Sequence, residues 1–287
     1  MAQTITLTAS MRSNLASVKS IQKQMNTTQE RLSTGKKVNS AIDNASSFYQ
    51  SRSLTNRAAD LDALLDSMGQ GIQTIQAANE GIEALTAFVD QLKSVAQSAF
   101  AAASGGSTAV TDYQTQYNSI LKEIKTLISD SGYQGINLLN GGTLNVTFDE
   151  NRQHTLSVAG DDVAAKLHTA GANAFTWSGD AGDITWSGAT ASALAASIDA
   201  TLADISKGLD YLRGYTSSLG NNYAIIQTRE DFTEALIDVL ETGSDNLVLA
   251  DMNEESANYL ALQTRQQLAI NSLSLASQSA QSVLKLF

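Results

Sequence analysis

The chain lacks both cysteine and proline. Without cysteine it cannot form a disulfide, a thiolate nucleophile or a zinc–thiolate site. Average usage of about 5% would place roughly 14 prolines in a chain of this length. Because proline interrupts helix interiors, its absence favours long, continuous helices. Aromatic residues make up only 6% of the chain, which is poor material for a compact core and suits an elongated helical bundle.

The sequence also lacks the signals of membrane insertion and conventional secretion. It has no run of about 20 apolar residues, so no membrane-spanning helix is predicted. The segment from Met1 to Leu7 has neither a charged region nor an apolar region. A conventional secretory signal is therefore not expected.

The net charge of −11 is unevenly distributed along the chain. The first 40 residues carry six basic side chains against one acidic side chain, whereas residues 41–247 have a net charge of −15. A basic segment suggests nucleic acid or lipid as a partner. Its charges, however, alternate with apolar heptad positions, and no aromatic residue is present to stack on bases. A solvated helix face is the better interpretation, and we expect neither nucleic acid nor membrane as a partner.

Glycine marks where the chain turns. None of the 19 glycines lies in residues 1–34 or 244–287, while 11 lie between residues 101 and 190. This distribution predicts helical ends and flanks around a middle region that turns.

Both ends carry narrow apolar stripes whose members recur in steps of four and three, as in the seam of a coiled coil. Gly35 follows the first stripe at the position of a helix C-cap. The N-terminal seam consists of Met11, Leu15, Val18, Gln22, Met25, Gln29 and Leu32. The C-terminal seam consists of Val248, Met252, Glu255, Tyr259, Leu262, Gln266, Ala269, Leu273, Ala276, Ala280, Val283 and Phe287.

Small residues late in the C-terminal seam would let a partner helix approach closely. A lone helix of this kind is marginal in water. The two ends are therefore predicted to pair as helices and to pack against copies of the chain.

The flanks between the ends and the middle are also predicted to be helical. Apolar periodicity predicts one helix over about 44–100, which would extend roughly 80 Å, and a shorter helix over about 111–129. A third is predicted to begin near residue 190 and continue towards 241, although Gly208, Gly214 and Gly220 weaken the expectation that it is unbroken.

In the middle region the pattern changes to alternation. Leu144–Phe148 and Thr155–Val158 are predicted to form a β-hairpin, with residues 149–153 as the turn. Trp177 and Trp186 occur in two identical Thr-Trp-Ser-Gly settings. The simpler interpretation is two strands with their indole rings packed together, and the alternative is an exposed platform that binds a sugar or a receptor.

No pattern of catalytic residues appears in the sequence. His154 and His168 are fourteen residues apart and belong to no metal-binding spacing. The carboxylates of Asp251, Glu254 and Glu255 open a predicted helix, where they favour the positive end of its dipole, so capping is a better interpretation than acid–base chemistry. We expect no enzyme activity, no cofactor and no metal site.

Four segments carry a resemblance to bacterial flagellins. The stretch from Arg31 to Asp43, RLSTGKKVNSAID, resembles the junction that follows the first helix of these proteins. The segment GYQGINLLNG, residues 132–141, resembles their turn of the type aromatic-x-G-x-x-L-L-x-G. Residues 250–256, ADMNEES, resemble the acidic stretch that opens their last helix, and AQSVLKLF at 280–287 resembles their C-terminus. The resemblance covers about 1–142 and 190–287.

The resemblance implies a mainly α fold with long antiparallel helical hairpins from both chain ends and a small β-containing insert. Residues 1–40 and 248–287 would be the helices of the inner filament core. Residues 41–142 and 190–247 would form the outer core, and 143–189 the variable, surface-exposed insert.

The implied function is that of a structural subunit that assembles into the extracellular flagellar filament and gives swimming motility. The implied partners are identical or sister flagellins, the filament cap, hook-junction proteins and an export chaperone that holds the C-terminal helix during type III export. The residues expected at the polymerisation interface are Met11, Leu15, Val18, Met25, Leu32, Tyr259, Leu262, Ala269, Leu273, Ala276, Val283 and Phe287.

Other functions remain open at this stage. A hook–filament junction protein would have similar ends, and the insert could display an adhesin or an enzyme on a filament. A free cytoplasmic coiled-coil scaffold is less compatible with the paired motifs.

One departure from enteric-type flagellins predicts weak recognition by the innate immune receptor that reads their Arg-rich helix segment. Asp90 stands where that resemblance places a key Arg. A charge reversal within a buried interface costs several kcal/mol. We expect the chain to stimulate receptor-bearing cells far less than an enteric flagellin does, and equal stimulation would contradict this expectation.

Overall fold

A computed structural model of the chain describes residues 9–103, 107–171, 173–176, 183–188 and 190–284. It divides into two compact units. Unit 1 combines the N-terminal residues up to Ala58 with the C-terminal residues from Asp238. Unit 2 consists of Ala59–Ile237.

Long helices dominate the described residues, which confirms the predicted fold class. The helices are α1 (Ala9–Thr34), α2 (Ala45–Ala102), α3 (Ser107–Asp130), α4 (Val163–Ala170), α5 (Ala191–Val248) and α6 (Met252–Leu284). The two strands are β1 (Thr143–Thr147) and β2 (Thr155–Ala159).

Helix α5 is unbroken, contrary to the expectation raised by its three glycines. At Gly208 the missing side chain has a packing reason, because an added Cβ would lie 2.6 Å from Cε2 of Phe175. Helix α4 was not predicted. Its N-terminus is capped by Asp162, whose carboxylate accepts a hydrogen bond from the backbone N–H of Ala165.

The predicted β-hairpin is confirmed. Strands β1 and β2 pair antiparallel, with Thr143 opposite Ala159 and Thr147 opposite Thr155. The connecting turn is held by Asp149, whose carboxylate accepts the backbone N–H of His154 at 2.8 Å. Gly160 lets the end of β2 approach the preceding loop, since a Cβ there would collide with the carbonyl oxygen of Gly142.

Unit 2 has one contiguous apolar core. Helices α2, α3 and α5 contribute most of it, and the inward-facing residues of the hairpin and of α4 complete it. Burial of this surface is the main source of stability in unit 2. Its largest fully buried side chains include Met68, Leu85, Tyr117, Ile124, Phe175 and Ile198.

Trp186 belongs to this core, and the predictions that it lies on a strand or on an exposed platform are wrong. Its side chain is 7% exposed and its ring meets Tyr117 edge to face at 5.2 Å. Its indole N–H donates to Oγ1 of Thr201 at 3.1 Å. Residues 183–188 form no strand, because the amide of Asn118 bonds both backbone groups of Ile184 and takes the place of a strand partner. Trp177 lies outside the described residues.

Asp204 anchors the segment that follows α4 to helix α5. Its carboxylate accepts hydrogen bonds from the backbone and side-chain N–H groups of Asn173, and it forms a 2.8 Å ion pair with Lys207. Burial alone would raise the pKa of Asp204, but the bonds from Lys207 and Asn173 outweigh that effect and lower it.

This carboxylate should make unit 2 sensitive to acid. Because the pKa is lowered on folding, the stabilisation is present above the unfolded-state pKa, which is about 4, and is lost as the pH falls through the folded-state value. We expect Asp204→Asn to lower the free energy of unfolding at pH 7. As the pH falls below the folded-state pKa of Asp204, the variant and the unaltered chain should converge. Urea unfolding at several pH values measures this, and a gap that widens in acid would contradict it.

Candidate polymerisation interface

Helices α1 and α6 pair antiparallel in unit 1. Arg31 lies beside Glu255 near one end of the pair, and Gln22 receives a hydrogen bond from Gln266 further along. On α6 the residues turned towards α1 follow the predicted seam except at its start, where Met252 is exposed. Leu262 is buried, and Tyr259, Gln266, Ala269, Leu273 and Ala276 are partly buried. The side chains of Ala280, Val283 and Phe287 lie outside the described residues.

On α1 every second position of the predicted seam is exposed, although Gln22 still contacts α6 through the hydrogen bond from Gln266. Met11, Val18, Met25 and Leu32 are buried or partly buried as expected, but Leu15, Gln22 and Gln29 are exposed. The positions that face inward in their place are one residue earlier, namely Asn14, Ile21 and Thr28. Asn14 and Thr28 are polar, so the inward face of α1 is less apolar than its sequence pattern suggests.

A short extended junction connects the helical pair to the ends of α2 and α5. Gly35 ends α1 with φ +71°, and its N–H donates to the carbonyl of Arg31 at 2.8 Å, which confirms the predicted C-cap. The N–H groups of Lys37 and Val38 donate to the carbonyl of Val248. The carbonyl of Gly35 accepts the N–H of Ala250. These bonds join the two chain ends where both change direction.

The acidic stretch after the junction has two separate roles. Asp251 caps α6, since its carboxylate accepts the N–H groups of Asn253 and Glu254, and this confirms the capping prediction. Glu255 instead forms a 2.8 Å ion pair with Arg31, and its side chain is only 10% exposed. Two of the four segments that carry the family resemblance are therefore in direct contact.

The ion pair between Arg31 and Glu255 should hold the start of the helical pair together. We expect Arg31→Ala to destabilise the α1–α6 pair by about 1–3 kcal/mol, because it leaves a nearly buried carboxylate without its partner. The double variant Arg31→Ala/Glu255→Ala should lose less than the sum of the two single changes. Hydrogen exchange of amides in α1 and α6 of the assembled fibres measures both effects. Strict additivity of the two changes would show that the ion pair contributes nothing.

The outer face of α6 presents three exposed leucines among polar residues. We call Leu260, Leu268 and Leu275 the outer stripe, and they are 62%, 61% and 69% exposed. At 3.6 residues per turn these leucines fall within an arc of about 80°, opposite the seam that faces α1. An exposed apolar row on a helix marks an interaction surface. The sequence contains this signal as a second stripe, which sequence reasoning missed.

The histidines occupy separate structural positions. Nδ1 of His154 lies 3.2 Å from Asp149 in the hairpin turn, whereas Nδ1 of His168 is 2.8 Å from the carbonyl oxygen of Phe175. Within the described ranges, no group of three or more potential metal ligands occurs. No helix in those same ranges is long and apolar enough to cross a membrane.

Comparison with known proteins agrees with this arrangement of paired ends. Residues 5–143 match the bacterial flagellin N-terminal helical region, and residues 202–287 match the bacterial flagellin C-terminal helical region. A flagellin of Brucella melitensis is 33% identical over 95% of this chain and 95% of its own length. Flagellin FljK of Caulobacter vibrioides is 30% identical over 92% of this chain and 91% of its own length.

The chain therefore belongs to the bacterial flagellin family. Flagellins are structural subunits of the extracellular flagellar filament, which agrees with the resemblance found in the sequence.

Proposed function

We propose that the chain polymerises through α1 and α6 into an extracellular flagellar filament, which gives the cell swimming motility. The observation that carries the proposal is the outer stripe of α6. One face of this helix is occupied by α1 within the same chain, and the opposite face presents three exposed leucines that a neighbouring copy can cover. A neighbouring copy packed on this face would remove the three leucine side chains from water.

The proposed interface contains the seam and the outer stripe together. The seam residues are Met11, Leu15, Val18, Met25, Leu32, Tyr259, Leu262, Ala269, Leu273, Ala276, Val283 and Phe287, and the outer stripe adds Leu260, Leu268 and Leu275. Leu15 is exposed in the single chain, so its contribution would be to a neighbouring copy.

Polymerisation also explains why few side chains of the chain ends are buried in a single copy. The α1–α6 pair has few fully buried side chains, so its ordering entropy is poorly offset in a single copy. We infer that residues 1–40 and 248–287 become stably ordered when copies add to a filament. Limited proteolysis of the soluble chain tests this inference, and chain ends that resist the protease before assembly would contradict it.

Accessory partners follow from the same role. We propose that the filament cap, hook-junction proteins and an export chaperone contact this chain, and that the filament contains identical or sister subunits. A hook–filament junction protein is the competing assignment. Electron microscopy of material sheared from cells separates the two, because a filament subunit is the dominant component along the whole fibre and a junction protein is confined to one end.

A separate binding role for the insert has less support, because Trp186 is a core residue. Deletion of residues 143–190 tests it. If motility survives while surface binding disappears, the insert has a second function.

A further inference from the structure

Unit 1 carries a row of cations on the free face of α1. Arg12, Lys19 and Lys23 are all exposed and recur in steps of seven and four, and we call them the basic stripe. At 3.6 residues per turn they lie within about 40° of one another, on the side of α1 turned away from α6. Among the described residues none of them has an ion-pair partner.

The same unit carries a matching row of anions near the end of α5. Asp238, Glu241 and Asp245 are exposed and recur in steps of three and four, and we call them the acidic stripe. Their carboxylates also form no ion pair with any described residue. Each copy therefore presents two unpaired rows of opposite charge on different helices.

We propose that the basic stripe of one copy docks against the acidic stripe of a second copy. Lys19 and Lys23 are one helical turn apart, as are Glu241 and Asp245, so two packed helices can form both contacts at once. Two different complementary surfaces on one chain make a head-to-tail contact, and repeated contacts of this kind generate rings or open helical polymers. The proposal rests on the filament function and names an electrostatic contact within it.

A polyanion such as nucleic acid is a weaker candidate for the basic stripe. The first 40 residues contain no aromatic side chain to stack on bases. The second copy, in contrast, supplies an acidic row of comparable length in the same structural unit. The contact orients successive copies and strengthens their association at low ionic strength, because exposed charge pairs are screened by salt.

Seeded polymerisation of the full-length chain tests the proposal, with the critical concentration measured by sedimentation. We expect Lys19→Glu/Lys23→Glu to raise the critical concentration about ten-fold at low salt, since each factor of ten corresponds to about 1.4 kcal/mol. Glu241→Lys/Asp245→Lys should have the same effect. The quadruple variant should return to within about three-fold of the unaltered chain. Above about 0.5 M salt the differences should shrink.

The matched control is Lys122→Glu/Lys125→Glu, which changes the charge equally on an exposed face of α3. It should polymerise as the unaltered chain does. If the quadruple variant restores polymerisation, misfolding is also excluded as the cause of the defects of the two double variants.

Several outcomes would overturn the inference. Unchanged polymerisation of both double variants would exclude the contact, and so would a quadruple variant that stays defective. Loss of binding to a DNA oligonucleotide by Lys19→Glu/Lys23→Glu with normal polymerisation would assign the basic stripe to a polyanion instead. If the unaltered chain itself does not polymerise onto seeds, the proposed function fails, which is a distinguishable result.

Discussion

Replacing two leucines of the outer stripe of α6 is expected to weaken polymerisation strongly while leaving the subunit folded. Burial of a leucine side chain contributes about 1.5–3 kcal/mol, and Leu260 and Leu268 are each about three-fifths exposed in the single chain. The double variant Leu260→Ser/Leu268→Ser should therefore lose about 2–4 kcal/mol of association free energy per contact. A loss in this range raises the critical concentration by about two orders of magnitude.

The structural reason for separating assembly from folding is the position of these leucines. They lie opposite the face of α6 that contacts α1, so their replacement leaves the seam intact. Val239→Ser is the matched control, because Val239 is 66% exposed on α5 and lies in the same unit. The control should polymerise normally. Sedimentation of seeded reactions measures the effect, and normal fibres from the double variant would show that the outer stripe is not an assembly surface.

Trp186→Ala is expected to cause the largest loss of stability among changes in the insert. Removal of a buried Trp side chain costs about 3–5 kcal/mol through lost burial and the cavity that remains. Here the edge-to-face contact with Tyr117 and the hydrogen bond to Thr201 are lost as well. Urea unfolding of the full chain, followed by circular dichroism, should show a large fall in the free energy of unfolding of unit 2.

The companion variant Trp186→Phe separates ring packing from the hydrogen bond. It keeps an aromatic ring against Tyr117 and loses the indole N–H, so we expect a cost of about 1–2 kcal/mol. Equal effects of the two variants would mean that packing contributes little. If Trp186→Ala left stability unchanged, the residue would not be the core element that its burial indicates.

The sequence identified the strongly periodic elements well. The seam of α6 was predicted correctly from Glu255 to Ala276, because its members recur in strict steps of four and three, but the prediction failed at Met252, which is exposed. The hairpin was predicted because Leu144, Val146 and Val158 alternate with polar residues around a turn. Gly35 was recognisable as a C-cap because the periodicity of α1 stops there.

The failures have physical causes. In α1 the inward positions include Asn14 and Thr28, and a search for apolar periodicity does not assign polar residues to a seam. Leu15, in contrast, is apolar and exposed. In α6 the seam was predicted, but the outer stripe on the opposite face was not. Apolar periodicity marks a helix face for contact but does not by itself distinguish an internal partner from an external one.

Long-range contacts could not be predicted from spacing. Arg31 and Glu255 are 224 residues apart in sequence, and only the antiparallel pairing of α1 with α6 brings them together. Trp186 likewise depends on Tyr117 and Thr201, which belong to two different helices. Its repeated Thr-Trp-Ser-Gly setting suggested local pairing, although the tertiary core determines its environment.

The most direct test of the account is seeded polymerisation of the full-length chain beside a form that lacks residues 248–287 and a form that lacks residues 1–40. The full-length chain is expected to grow fibres visible by electron microscopy. Both shortened forms should remain soluble, retain the helical signal of unit 2 and add nothing to the seeds. Normal fibres from either shortened form would contradict the proposal that the paired chain ends build the filament.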